Sequence, residues 1–86
     1  MISNLPTLQQ GNRDHPGSVQ FVHRLQALIK VIGDINHLAG ASAVKADGNF
    51  SQATKTGVLA VQKFFRLTED GICGPATWGA LVAGQR

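Results

Sequence analysis

The stretch Asp47-Gly48-Asn49-Phe50-Ser51-Gln52-Ala53-Thr54 returns 23 residues on, from 47 to 70, as Asp70-Gly71-Ile72-Cys73-Gly74-Pro75-Ala76-Thr77. Both copies fit D-G-x-[apolar/Cys]-x-x-A-T, and an apolar segment at helical spacing follows each. A repeat inside a chain of 86 residues decides how the rest is read. Asp-Gly marks a turn, because the Asp side chain can accept from nearby backbone amides and Gly tolerates positive φ. In the second copy Pro75 suits the first helical position and Gly74 the N-cap. In the first copy Ser51 takes the N-cap place, where its hydroxyl would accept from the amide near Thr54. Asp47 and Asp70 then fall near the positive ends of two helices. The phrase reads as a loop that launches a helix, used twice.

Outward from the first copy, a helix is expected over about Gln52 to Phe65. Ala53, Gly57, Val58, Val61, Phe64 and Phe65 would form its buried stripe, with Lys55, Gln62 and Lys63 off it. The second copy launches a helix from Pro75 to about Val82 that buries Trp78, Leu81 and Val82. Upstream, Val22, Leu25, Leu28, Ile29 and Ile32 share one face of a helix that should begin near Ser18, as N-cap, and stop at Gly33. Residues 33–46 make a long connection in which Ile35, Leu38 and Val44 tuck inward and a short helical turn has room to form. The run from Gln9 to Gly17 is a loop by its breakers, and Leu5 and Leu8 anchor the lead-in on the core. The tail from Ala83 to Arg86 is expected to fray. No segment alternates with period two over strand length. The expectation is therefore all-α: a compact three-helix domain with long loops, a single unit over 1–86 with 1–16 as lead-in and 17–83 as core.

Composition narrows the function less. The chain is 43% hydrophobic and 15% charged, ordinary for one small compact domain. One cysteine precludes an internal disulfide. A net charge of +3 favours anionic partners such as nucleic acid, a membrane surface or an acidic wall polymer, but the basic residues are scattered. No stretch is apolar enough to span a bilayer, and Met1 to Pro6 carry no signal-peptide pattern.

Several residues invite chemistry. Asp47 and Asp70 are a possible carboxylate pair of the kind glycoside hydrolysis uses. The repeat explains both as closers of their own turns, and that reading is preferred. His15, His23 and His37 with Cys73 follow no zinc-ligand spacing, so no metal or other cofactor is expected. Trp78 could stack on a sugar ring, but it shares a face with Leu81 and Val82 and reads first as core. Thr54 and Thr77 hold matching helical positions from which a hydroxyl can bond back to loop backbone.

From Asp47 to Leu81 the chain resembles D-G-x-F-G-P-x-T-x-x-A-V-x-x-F-Q-x-x-x-G-L-x-x-D-G-I-V-G-P-x-T-W-x-A-L. That is the pattern of the three-helix peptidoglycan-binding domain found in bacterial and phage cell-wall hydrolases. Val22-His23-Arg24-Leu25-Gln26 is similar to the V-x-x-L-Q of that family's first helix. Ser51-Gln52, Gly57, Val61, Arg66 and Cys73 depart from the pattern, where Gly-Pro, Ala, Phe, Gly and Val are usual. Gly57 within a helix costs about 1 kcal/mol against Ala unless a neighbour packs closely there. A left-handed residue at Arg66 would cost about 1–2 kcal/mol.

The resemblance implies a non-catalytic module that binds peptidoglycan, stem peptide and glycan strand together, and targets an attached or partner hydrolase of the endolysin or autolysin type. It implies a cell-envelope, periplasmic or cell-wall location and a monomer, with neither nucleic acid nor membrane as partner. The expected ligand-binding set is Asp47, Gly48, Asn49, Phe50, Thr54, Asp70, Gly71, Thr77 and Trp78, around a shallow groove bordered by the Asp-Gly loops and the second helix. The rival is a small helical module for protein or nucleic-acid interaction, for which the second helix offers only Lys55 and Lys63 in its first turns. A stand-alone hydrolase would need clustered carboxylates or a metal site.

Overall fold

The computed structural model describes residues 5–17 and 19–84. It contains four helices: α1 (Phe21–Asn36), α2 (Ala39–Ser42), α3 (Gln52–Phe64) and α4 (Pro75–Ala83). Among the described residues there is no strand, only two isolated bridges, Leu8 with Cys73 and Arg13 with Asn49. The fold is all-α, and both Asp-Gly stretches lead into a helix, α3 and α4.

The core is one cluster that joins all four helices and the lead-in. Leu25, Ile29 and Ile32 of α1 meet Ala41 of α2, Val58 and Val61 of α3, and Trp78 and Leu81 of α4. Leu8 and Phe50 close it from the loops, with Leu5 half-buried against it. The Trp78 indole is buried, and its Nε1–H donates to the Pro6 carbonyl at 2.7 Å. That bond ties the lead-in to α4 and meets the polar demand of a buried indole.

The start of α1 differs from the expectation. It begins at Phe21 with Gln20 at the N-cap in a left-handed conformation, φ 61°. Ser18, the expected cap, lies outside the described residues, as do Gln85 and Arg86 of the expected frayed tail and Met1 to Asn4 of the lead-in. The cap comes instead from a distant residue. Asp14 Oδ1 accepts from the Val22 N–H and Oδ2 from the His23 N–H, both at 2.9 Å. One carboxylate thus satisfies two of the amides that a helix start leaves open.

At its other end α1 runs past Gly33 to Asn36. It closes at His37, φ 58°, with the Leu38 N–H donating to the Gly33 carbonyl at 2.8 Å. Gly33 is therefore a contact point rather than a stop: a Cβ there would stand 2.7 Å from the Ala41 Cβ. Because the helix continues, Ile35 faces away from that contact and is 61% exposed, not tucked inward. Val44 is buried and Leu38 half-buried, and α2 is the short turn within this connection.

The buried stripe of α3 is rotated from the expected one. Thr54, Gly57, Val58, Val61 and Gln62 face inward, while Ala53 and Phe64 are exposed. Two polar residues displace two apolar ones because their hydrogen bonds are satisfied within the fold, so burying them costs little. Gly57 is where α3 presses against α1 and the segment around α2. A Cβ there would collide with Val44 Cγ2 and lie 3.1 Å from Ile29 Cγ2. The Gly at this position is explained by close approach, not by tolerance. Arg66, just past α3, adopts φ 59°, and the Leu67 N–H reaches back to the Gln62 carbonyl at 2.8 Å. In α4, Thr77, Trp78 and Leu81 are buried and Val82 lies one step off that face, 38% exposed.

Candidate functional site

The two Asp-Gly loops are built by one device. In the first, the Asp47 Oδ1 accepts from the Asn49 N–H at 3.0 Å, closing the turn, and Gly48 adopts φ 80°. In the second, the Asp70 Oδ1 accepts from the Ile72 N–H at 2.9 Å and Gly71 adopts φ 73°. Both glycines sit where an L-residue is strained, which is why the phrase keeps Gly at its second place.

Each loop is then clamped by a buried glutamine from the preceding long helix. Gln26 Nε2 lies 3.0 Å from Asp47 Oδ1, 2.9 Å from the Asn49 carbonyl and 2.9 Å from Thr54 Oγ1, and its Oε1 accepts from the Gly48 N–H at 2.9 Å. Gln62 repeats the pattern on the second loop, with 2.9 Å to Asp70 Oδ1, 3.0 Å to the Ile72 carbonyl and 3.1 Å to Thr77 Oγ1, and the Gly71 N–H at 3.0 Å. An amide nitrogen has two hydrogens, so three acceptors share them. Gln26, Thr54, Gln62 and Thr77 are the buried polar residues of the described fold, and all four belong to these clamps.

The turn N–H groups, and after them the clamps, hold both carboxyl groups below their ordinary pKa of 3.8. For Asp47 the larger cause is the Asn49 N–H and the next is Gln26. For Asp70 the causes are the Ile72 N–H and then Gln62. Both carboxylates are exposed and used as turn-closers. Cys73 is different: burial pushes its thiol up to about 12, so it acts as a small apolar core residue.

Ser51 and Gly74 stand at the N-cap positions of α3 and α4, but neither helix has a side-chain cap. The Ser51 hydroxyl does not make the expected bond. Order at these helix starts comes instead from the glutamine clamps and from Pro75 in the first turn of α4.

The lead-in threads the two loops together. The Leu8 N–H donates to the Cys73 carbonyl at 3.0 Å, and the Cys73 N–H returns to Leu8 at 2.7 Å. Farther along, the Gly11 N–H donates to the Phe50 carbonyl at 2.9 Å, the Phe50 N–H to the Asn12 carbonyl at 2.8 Å and the Asp14 N–H to the Gly48 carbonyl at 2.9 Å. Residues 8–14 therefore run beside both loops.

Of the nine residues expected at the site, Asp47, Asn49 and Asp70 are exposed. Gly48, Phe50, Thr54, Gly71, Thr77 and Trp78 are buried, the first five of them within or under the loops and Trp78 in the core. Two polar recesses open on the exposed rims. One, of about 320 Å³, lies between Asp14, His15, His23, Asp47 and Asn49. The other, of about 180 Å³, is bordered by Gln9, Gln10, Lys55, Asp70 and Ile72. A larger hollow, about 510 Å³ behind the lead-in, touches none of the nine. No group of three or more His, Cys, Asp or Glu among the described residues could hold a metal ion.

Residues 18–81 match the family model of the peptidoglycan binding domain. The chain belongs to that family. No curated protein and no solved structure matches it. Peptidoglycan binding domains are binding modules, and the match spans every helix start described above, from α1 to α4. No helix of the described structure is long and apolar enough to cross a membrane.

The residues that sequence reasoning passed over are Gln26 and Gln62. A signal was present: each is a glutamine next to an apolar core residue, Leu25 or Val61, on the helix that precedes an Asp-Gly loop. The helical spacing places Gln62 off the stripe, and its burial corrects that expectation.

Proposed function

We propose that this peptidoglycan binding domain takes the wall polymer along the rims of its two clamped loops. Asp47, Asn49 and Asp70 would touch ligand. Gly48, Gly71, Phe50, Thr54, Thr77 and Trp78 would shape the loops from beneath. The observation that carries this reading is the family match over a segment that contains both clamps. Support comes from the lead-in, which joins the two polar recesses into one rim of fixed backbone and exposed side chains. Little conformational entropy would be lost on binding to loops already held by three-way hydrogen bonding.

The role we assign is targeting. A domain that holds peptidoglycan weakly raises the effective concentration of a hydrolase, attached or partnered, at its polymer. The domain itself would act at the cell wall, as a monomer and without catalysis. A net charge of +3 aids capture of an anionic wall.

The test is sedimentation with purified sacculi at low salt. The wild-type domain should co-sediment, and an Asn49→Ala variant should do so less, because that side chain is exposed and takes no part in a clamp. The double variant Asp47→Ala, Asp70→Ala should lose binding further, with its helical circular dichroism recorded alongside to separate lost contact from lost fold. A folded wild-type domain that stays wholly in the supernatant would remove this reading in favour of a helical module for protein or nucleic-acid interaction.

A further inference from the structure

The two clamps differ in what lies over their glycines. Over Gly48 it is Asp14, whose Oδ2 would stand 3.3 Å from a Cβ placed there. That carboxylate is spent, since both oxygens cap α1. Over Gly71 it is Lys55, whose Cγ and Cε would stand 2.9 Å from such a Cβ. The lysine stem is thus laid along the glycine and half-buried. Among the described residues its ammonium takes no hydrogen bond or ion pair.

Asp70 lines the same recess as Lys55. Its Oδ1 carries the bonds from Gln62 and Ile72, while among the described residues its Oδ2 carries none. The clamp fixes the carboxylate and the glycine seats the lysine. One cation and one anion therefore face a recess of about 180 Å³ without pairing to each other, the Lys30–Asp34 bridge on α1 being the ion pair among the described residues.

We propose that this recess binds an amino-acid head group, its carboxylate on the Lys55 ammonium and its ammonium on Asp70 Oδ2. A simple anion would meet Lys55 but bring its charge beside Asp70, and a simple cation would do the reverse. A zwitterion satisfies both, so the two charges select against either half alone. Gln9 and Gln10 at the mouth add neutral donors and acceptors. The inference rests on the wall-binding reading for the source of the head group: a peptide stem whose side chain ends in a free amine and carboxylate on one carbon. The first loop lacks this pair, because the group over Gly48 is not a cation but the Asp14 carboxylate, which caps α1.

The test titrates the ¹⁵N-labelled domain with a soluble stem peptide carrying that free head group. Two further peptides have its carboxylate amidated or its amine acetylated. The free peptide should move the Gly71 and Ile72 amides, and each blocked peptide should bind about fivefold more weakly, as loss of one exposed ion pair implies. Lys55→Met keeps the stem on Gly71 and should bind the free and amidated peptides alike; Lys55→Arg should restore the preference. Asp70→Asn keeps the Oδ1 acceptor and should lose only discrimination against the acetylated peptide. Equal binding of all three peptides to the wild type, or no response to any, would overturn the proposal. Sacculus sedimentation separates the two readings. Sedimentation without peptide discrimination removes the zwitterion site alone, and discrimination without sedimentation removes the wall reading alone.

Discussion

Gln26 and Gln62 make the same four contacts in two places: each amide nitrogen meets an Asp Oδ1, a loop carbonyl and a Thr Oγ1, and each oxygen accepts from a Gly N–H. The repeat visible as D-G…A-T is the surface half of a device whose buried half is glutamine. The turn, the helix start and the long helix beneath are joined through one side chain.

Replacing that side chain should unmake a loop. Gln62→Leu matches the volume but leaves the buried Gly71 N–H without its acceptor and strips the Asp70, Thr77 and Ile72 oxygens of one donor, the Ile72 carbonyl keeping only the Gly74 N–H at 3.2 Å. Destabilisation of about 2–4 kcal/mol is expected. Urea unfolding should show a lower midpoint at unchanged slope. A midpoint within error of wild type would mean that the loop does not depend on its clamp.

The turn-closing carboxylates make stability fall in acid. Both have folded pKa values below 3.8, so the folded state prefers them ionised. Their contribution is complete above 3.8 and is lost as pH falls through the lower, folded values. The melting temperature should therefore decline below about pH 4. In the double variant Asp47→Asn, Asp70→Asn that decline should be shallower. Parallel melting-temperature curves for variant and wild type would assign the acid sensitivity to other groups.

Arg66 occupies a conformation that suits glycine, with φ 59° at the end of α3. The cost follows from the approach of its Cβ to the neighbouring carbonyl, a penalty glycine escapes. Arg66→Gly should stabilise the domain by about 1 kcal/mol after the larger chain entropy of unfolded glycine is subtracted. Thermal unfolding would check it, and a lower melting temperature would show that the arginine side chain contributes more than its backbone costs.

How much of this could be read from the chain follows from the range of each interaction. Asp47, Gly48, Asp70, Gly71 and Pro75 act within a few residues of themselves, so their turns and helix starts follow from local spacing. Trp78, Leu81, Ile29 and Ile32 announce the core by helical period. Asp14 caps a helix from across a loop, and Gln26 reaches a turn on the far side of α2. Neither bond leaves a periodic trace. Polar residues on an apolar face are assigned outward by pattern alone, which is how Thr54 and Gln62 exchanged places with Ala53 and Phe64 in the expected stripe. At the candidate site the turn residues were legible, but the burial of Phe50, Thr54, Thr77 and Trp78 beneath the rim depends on packing.

Gly57 tests whether close approach outweighs propensity. On an exposed helix surface Gly→Ala would stabilise by about 1 kcal/mol. Here the added methyl collides with Val44 Cγ2 and presses on Ile29 Cγ2. Gly57→Ala should therefore destabilise by about 1–3 kcal/mol. The double variant Gly57→Ala, Val44→Ala makes room and should recover part of the loss. A stabilised single variant, measured by urea unfolding, would mean that Val44 and Ile29 yield to the methyl.

The cap on α1 is the last relationship that a single change isolates. Asp14 accepts from the Val22 and His23 amides, and Gln20 at the N-cap makes no side-chain cap bond to the helix start. Asp14→Ala should cost about 1 kcal/mol, the usual loss when a helix cap is removed. Asp14→Asn retains one acceptor and should cost less. Because the Asp14 backbone N–H still donates to the Gly48 carbonyl, the lead-in should stay in place. Hydrogen exchange should therefore quicken at Val22 and His23 while Phe50 and Gly11 keep their protection. Equal acceleration at all four amides would show instead that Asp14 holds the lead-in and the helix as one unit.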